Sequence, residues 1–154
     1  MNNLSFHITD ITANSIRANA SEIGLSVEEQ DTRIVIRITD NGLGMDAETA
    51  RRVTNPFYTT RTTRKVGLGL PFLIQNAEQT GGSVTLTSEP GKGTKVRAVF
   101  HSDHIDCPPW GDLPGTVALL ITGNPEINVC FEYRSGETGY SISTNEIKEI
   151  LDGV

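Results

Sequence analysis

The chain has 154 residues, 36% hydrophobic and 21% charged, a composition that suits one globular domain, or one with an added element, and excludes a disordered tract. Its net charge of −6 is uneven: residues 1–100 carry 11 Lys and Arg against 10 Asp and Glu, whereas residues 101–154 carry 2 against 9. The acidic second part argues against a nucleic-acid surface there, because phosphates need basic neutralisation, and no apolar run reaches the roughly 20 residues that span a bilayer.

Cys107 and Cys130 stand far apart with no CxxC pattern, which argues against a disulfide scaffold and fits a reducing compartment. The opening MNNLSFHITD lacks the charged and apolar regions of a signal peptide, so a cytoplasmic location is the expectation.

Leu4 to Ala20 reads as a helix, with Leu4, Ile8, Ile11, Ser15 and Ala18 near one face and Asn2 or Asn3 as the cap. Glu22–Val27 is a weak strand. Thr32–Thr39 is a strong one, alternating Ile34, Ile36 and Ile38 with Arg33, Val35 and Arg37; a hairpin through Glu28–Asp31 can join the two. After the DNGLGM loop, Asp46–Val53 reads as a short helix capped by Asp46. Thr54–Lys65 reads as an exposed loop.

A helix follows from about Leu68 to Gln79 and stops at Gly81-Gly82. Ser83–Ser88 and Thr94–Phe100 are strands joined by the turn-rich Glu89-Pro90-Gly91-Lys92-Gly93. His101–Pro114 reads as a linker or an extended wrap, with Trp110 expected to be buried where it meets the first part. Thr116–Thr122 and Asn128–Tyr133 read as strands, Gly139–Ser143 as a third short one, and Thr144–Leu151 as a helix capped by Ser143 or Thr144.

The glycine-rich stretches match neither GxxxxGK[ST] nor a complete GxGxxG fingerprint. Five other elements occur in order. Asp10, Asn14 and Arg17 share a helical face, where a carboxylate, an amide oxygen and a cation can hold a divalent ion, water and phosphate. Asp40-Asn-Gly42-Leu-Gly44 follows a strand: the carboxylate can accept from an exocyclic amine, and glycine permits close backbone approach.

Pro56-Phe57-Tyr58 is an aromatic anchor beside a polar loop. Val66-Gly67-Leu68-Gly69-Leu70 opens a helix whose free N–H groups suit phosphate. Gly91-Lys92-Gly93-Thr94 starts the last strand.

This series resembles the ATP-binding domain shared by histidine kinases, gyrase-type topoisomerases, mismatch-repair ATPases and heat-shock chaperones, with spacing nearest to the histidine kinases. The resemblance covers roughly residues 3–100. It implies a two-layer α/β sandwich of the Bergerat ATP-binding type over residues 1–100. There, a mixed sheet of the four early strands packs on three helices. Residues 101–154 read separately as a small acidic ββα-like extension, which either lengthens this sheet or forms a small subdomain.

It also implies that Asn14 coordinates Mg²⁺, that Asp10 polarises an attacking group, and that Arg17 faces phosphate. Asp40 would bind the adenine amine, with Gly42 and Gly44 shaping the pocket. Gly67 and Gly69 would cradle phosphates, Thr94 would reach adenine directly or through water, and Arg61, Arg64 and Lys65 would be lid cations for the triphosphate.

The chain departs from the family at Ala13, in the shorter side chain of Asp10 where relatives carry Glu or Asn, and in a short lid between Phe57 and Gly67. No phosphoacceptor hairpin stands before the opening helix, so autophosphorylation on a conventional histidine is not expected. His7 reads as a helix residue near the site rather than a phosphoacceptor. His101, His104 and Cys107 lack the paired spacing of a zinc site.

The extension, with HIDCPPWGD, NPEINVCFEY and TNEIKEIL, resembles that of small ATP-binding proteins found alongside iron-only hydrogenases. The expectation is an ATP-binding regulatory protein with a protein partner, linked to a redox system. A trans-acting serine kinase of the anti-sigma type and a non-hydrolysing nucleotide sensor stand as alternatives. Neither nucleic acid nor membrane is an expected partner.

Overall fold

The computed structural model describes residues 3–54 and 69–152. The first helix, α1 (Leu4–Arg17), is capped by Asn3, whose side chain accepts from Phe6 N–H at 2.6 Å. It stops three residues short of the expected Ala20. Asn19 enters the left-handed region at φ 61°, and Ala20 and Asn19 N–H reach back to the carbonyls of Ser15 and Ile16. That closes the exposed carbonyls of the last turn.

β1 (Glu22–Gln30) and β2 (Arg33–Asp40) form an antiparallel hairpin. The strands run closer to the turn than Glu28–Asp31 suggests, because Asp31 takes φ 54° and compresses the reversal to two residues. α2 (Ala47–Thr54) is capped by Asp46, which accepts from Thr49 N–H at 2.7 Å.

α3 (Gly69–Gln79) ends as α1 does, with Gly81 at φ 84° and Gly82 N–H returning to Ala77. β3 (Ser83–Glu89) and β4 (Gly93–His101) follow. Then come α4 (Leu113–Thr122), β5 (Asn128–Ser135), β6 (Thr138–Ser143) and α5 (Thr144–Asp152). Ser143 caps α5: its hydroxyl accepts from Glu146 N–H and donates to the Glu146 carboxylate, each at 3.1 Å.

One expected strand is wrong. Thr116–Thr122 lies in α4, not in a strand. Pro114 sits in the first turn, where its fixed φ suits a helix, and Asp112 accepts from Gly115 N–H at 3.0 Å as the cap. The buried positions Leu113, Val117, Leu120 and Ile121 follow a helical period, which a seven-residue window of apolar and β-branched residues does not reveal.

The six strands form one mixed sheet in the order β3-β4-β2-β1-β5-β6, antiparallel throughout except where β5 runs parallel to β1. The extension therefore lengthens the sheet. Ile23, Leu25 and Val27 of β1, Ile34, Ile36 and Ile38 of β2, Val96, Ala98 and Phe100 of β4, and Val129 and Phe131 of β5 belong to one buried core. Leu4, Ile8 and Ile11 of α1, Leu70 and Leu73 of α3, and Val117, Leu120 and Ile121 of α4 pack into the same core.

Among the described residues, no helix is long and apolar enough to cross a membrane.

The segment after β4 is anchored at both ends of its path. The carbonyls of Pro109 and Trp110 accept from the N–H groups of Leu4 and Ser5, and the Ser5 hydroxyl also donates to Trp110 at 2.6 Å. These bonds satisfy donors that the first turn of a helix leaves free. Trp110 is half-buried rather than fully covered, because its indole N–H reaches outward to Glu29 at 3.0 Å. Tyr133 donates to the other oxygen of the same carboxylate.

Candidate functional site

A cavity of about 290 Å³ opens between α1, the end of β2, the 43–45 loop, β4 and the start of α3. Ile11, Ile38, Met45, Val53, Leu70 and Val96 make most of its wall apolar. Asn14, Ser15 and Arg17 face it from α1, Asp40 from β2, Gly44 from the loop and Thr94 from β4. Asp40 and Thr94 are direct partners across the β2–β4 ladder, so both side chains leave the sheet on the helix side.

Asp40 is held from two directions. Its Oδ2 accepts from the Ser15 hydroxyl at 2.6 Å, and its Oδ1 accepts from Gly42 N–H at 2.9 Å. The carboxylate is thereby fixed in plane with lone pairs left for the cavity. Asn41, the next residue, pins the loop to the start of β1. Its side-chain oxygen accepts from Ser21 and Glu22 N–H at 2.9 Å each, and its amide donates to Ser21 Oγ.

The loop glycines fit against protein backbone. A β-carbon on Gly44, at φ +70°, would stand 1.9 Å from the Glu89 carbonyl oxygen, and one on Gly42 would stand 2.7 Å from that of Ala18. Only glycine lets this loop close against α1 and the β3–β4 turn.

Asp10 does not line the cavity. It lies beside the first residue of α3: a β-carbon on Gly69 would be 2.9 Å from Asp10 Cβ and Oδ2. Burial raises the pKa of Asp10, and the Arg17 cation opposes that rise. Arg17 also donates through Nη2 to the Asn14 side-chain oxygen.

Gly67, Arg61, Arg64 and Lys65, with the Pro56-Phe57-Tyr58 anchor, lie outside the described residues. Ser15, Thr49 and Met45 line the cavity as well and were not expected, nor was Ser88 behind it. Helical spacing places Ser15 beside the Ile11 row, but only the packing of α1 against the end of β2 shows that its hydroxyl meets Asp40.

His7 is fully buried between α1 and α3. Its Nε2 lies 2.7 Å from Asn76 Nδ2, and its ring stands 5.0 Å from that of Phe72. Among the described residues, no three His, Cys, Asp or Glu side chains group as a metal site.

Residues 3–104 match the family described as histidine kinase-, DNA gyrase B-, and HSP90-like ATPase. The chain belongs to this family.

Among similar proteins is the sensor histidine kinase YxdK of Bacillus subtilis (strain 168), 29% identical over 104 residues, which cover 63% of this chain and 32% of that one. Another is the sensor kinase CckA of Brucella abortus (strain 2308), 34% identical over 91 residues, covering 58% and 10% respectively. The chain thus spans at most about a third of the length of these relatives.

The fold is similar to the ATPase domain of Aquifex aeolicus MutL complexed with ADP, with a TM-score of 0.53, 18% identity, and coverage of 99% of this chain and 68% of that one. It is also similar to the N-terminal domain of a DNA repair protein, with a TM-score of 0.57, 17% identity, and coverage of 92% and 51%.

Proposed function

We propose that this chain is an ATP-binding module in which Asp40 takes the adenine amine and the Asn14 face of α1, with the start of α3, receives the phosphates. The observation that carries the reading is the fixed Asp40 carboxylate at the edge of a cavity whose wall is mostly apolar. A flat ring bearing an exocyclic amine meets both conditions: the ring buries apolar surface and the amine supplies the missing proton. Gly42 and Gly44 give the loop its close packing, and Thr94 turns its hydroxyl oxygen toward the base.

Gly67 and Gly69, at the entry to α3, would cradle phosphate on free backbone N–H groups. Arg61, Arg64 and Lys65 would supply charge to neutralise it. Arg17 supplies a cation at the cavity mouth.

The Asn14 amide oxygen is a hard donor of the kind Mg²⁺ takes. Arg17 holds that oxygen and is itself exposed, so its swing onto phosphate would free Asn14 for the ion. The ion when bound would supply positive charge against the phosphates.

The test is calorimetric titration with Mg-ATP. The natural protein should bind, and Asp40→Asn should weaken binding about 10- to 100-fold, the worth of one charged hydrogen bond, with an unchanged far-UV spectrum. No heat from the natural protein would sink the reading.

The role we propose is regulatory. A hydrogen-bonded path runs from the Asp40 loop through Asn41 and Ser21 to Asn128, whose side chain accepts from Asn145 N–H at the start of α5. That path supports a C-terminal part that responds to nucleotide. Its resemblance to hydrogenase-associated ATP-binding proteins supports a redox enzyme system as the setting.

A second reading, phosphoryl transfer to a partner protein, is favoured by the place of Asp10 beside Gly69 at the start of α3, where burial raises its pKa. Label transferred from ATP to a captured partner would select it; ADP release without a phosphoprotein would select hydrolysis.

A further inference from the structure

Ser88, next to last in β3, sits behind the cavity and lies outside its lining. Its hydroxyl meets three polar groups: Met45 N–H at 2.8 Å, the Gly93 carbonyl at 3.0 Å and the Thr94 hydroxyl at 2.8 Å. A serine hydroxyl has one proton and two lone pairs. The carbonyl can only accept and the Met45 N–H can only donate.

One proton assignment makes all three bonds. Ser88 donates to Gly93, and accepts from Met45 and from Thr94. Thr94 therefore spends its proton on Ser88 and turns only lone pairs toward the cavity it lines. The facing wall is alike. Ser15 spends its proton on Asp40, which accepts a second bond from Gly42 N–H. Asp40, Ser15 and Thr94 thus offer lone pairs and no proton.

We propose that Ser88 is a specificity-determining positioning residue: it directs the Thr94 proton out of the cavity, so that the base wall accepts a 6-aminopurine and refuses a 6-oxopurine. This rests on the reading of the cavity as a nucleotide site. An exocyclic amine carries two protons for two acceptors. A 6-oxopurine satisfies one acceptor through its ring N–H, but its oxygen finds no donor. Leaving buried polar groups unpaired is what gives a site strong discrimination. Without the Ser88 hydroxyl, Thr94 rotates freely and can donate to an oxo group.

The test compares calorimetric affinities for Mg-ATP and Mg-ITP, which share sugar and triphosphate. The natural protein should prefer ATP at least about tenfold. Ser88→Ala should shrink that ratio about three- to tenfold, the worth of one hydrogen bond, and Ser88→Thr should restore it. Thr94→Val leaves the Met45 and Gly93 contacts of Ser88 intact and should shrink the ratio as well.

A purely structural role for Ser88 weakens both nucleotides equally. An unchanged ratio in Ser88→Ala and Thr94→Val overturns the proposal, as does a natural protein that binds ATP and ITP alike; both outcomes leave the ATP site standing. A natural protein that binds neither nucleotide overturns both readings.

Discussion

Burial lowers the pKa of His7 from 6.5 to about 4, with the rings of Phe6, Phe72 and Phe100 around the imidazole. Its Nδ1 has no hydrogen-bond partner among the described residues. The unfolded chain takes up this proton below about pH 6.5, while the folded chain resists it until about pH 4. Stability should therefore be full above pH 6.5 and fall as pH drops through that window, by up to roughly 3 kcal/mol. Urea denaturation at pH 7.5 and pH 5 should show the loss in the natural protein and a smaller one in His7→Leu; equal losses would remove His7 as the cause.

The same residue marks what could be read at this scale. Its place near the site follows from helical spacing, whereas its depth depends on α3 closing over it. Ser15, likewise, has nothing in its local sequence to announce a bond to Asp40, 25 residues away.

At the scale of elements, the strap that carries Trp110 fastens the extension to α1 and β1. The Trp110 indole packs on the core and donates to Glu29, which also accepts from Tyr133 of β5. Trp110→Ala should cost about 2–3 kcal/mol, below a fully buried tryptophan because the ring is half exposed. Trp110→Phe, which loses the bond but keeps most of the contact, should cost about 1 kcal/mol. Urea midpoints measure both; a cost under about 0.5 kcal/mol for the alanine variant would mean that the strap contributes little to holding the fold.

The elements with clear alternation or caps, β2 to β4, α2 and α5, were legible because local pattern and tertiary role agree. α4 was not. Four β-branched residues in TVALLIT favour a strand locally, and the cap at Asp112 with Pro114 decides the matter only when the window is extended backward.

Over the whole molecule, the decisive pairing is β1 with β5. β1 is a weak strand by sequence, yet it lies between β2 and β5 near the middle of the sheet, paired along its length on both sides. A parallel pairing across a hundred residues leaves no local trace, so the sequence left open whether the acidic part joins the sheet.

The structure puts Phe131 opposite Leu25 and Val129 opposite Ile23, inside the same core as α1. Phe131→Ala should then destabilise the whole chain by about 3–5 kcal/mol, not the extension alone. Far-UV signal and Trp110 fluorescence should lose their cooperative transition at the same urea concentration, in the natural protein and in the variant alike. If fluorescence shifts while the far-UV transition stays, the β1–β5 seam is a boundary between separately stable units. If both shift together, nucleotide held at Asp40 should raise the stability of residues 101–154 as much as that of residues 1–100, because one cooperative unit shares the binding energy.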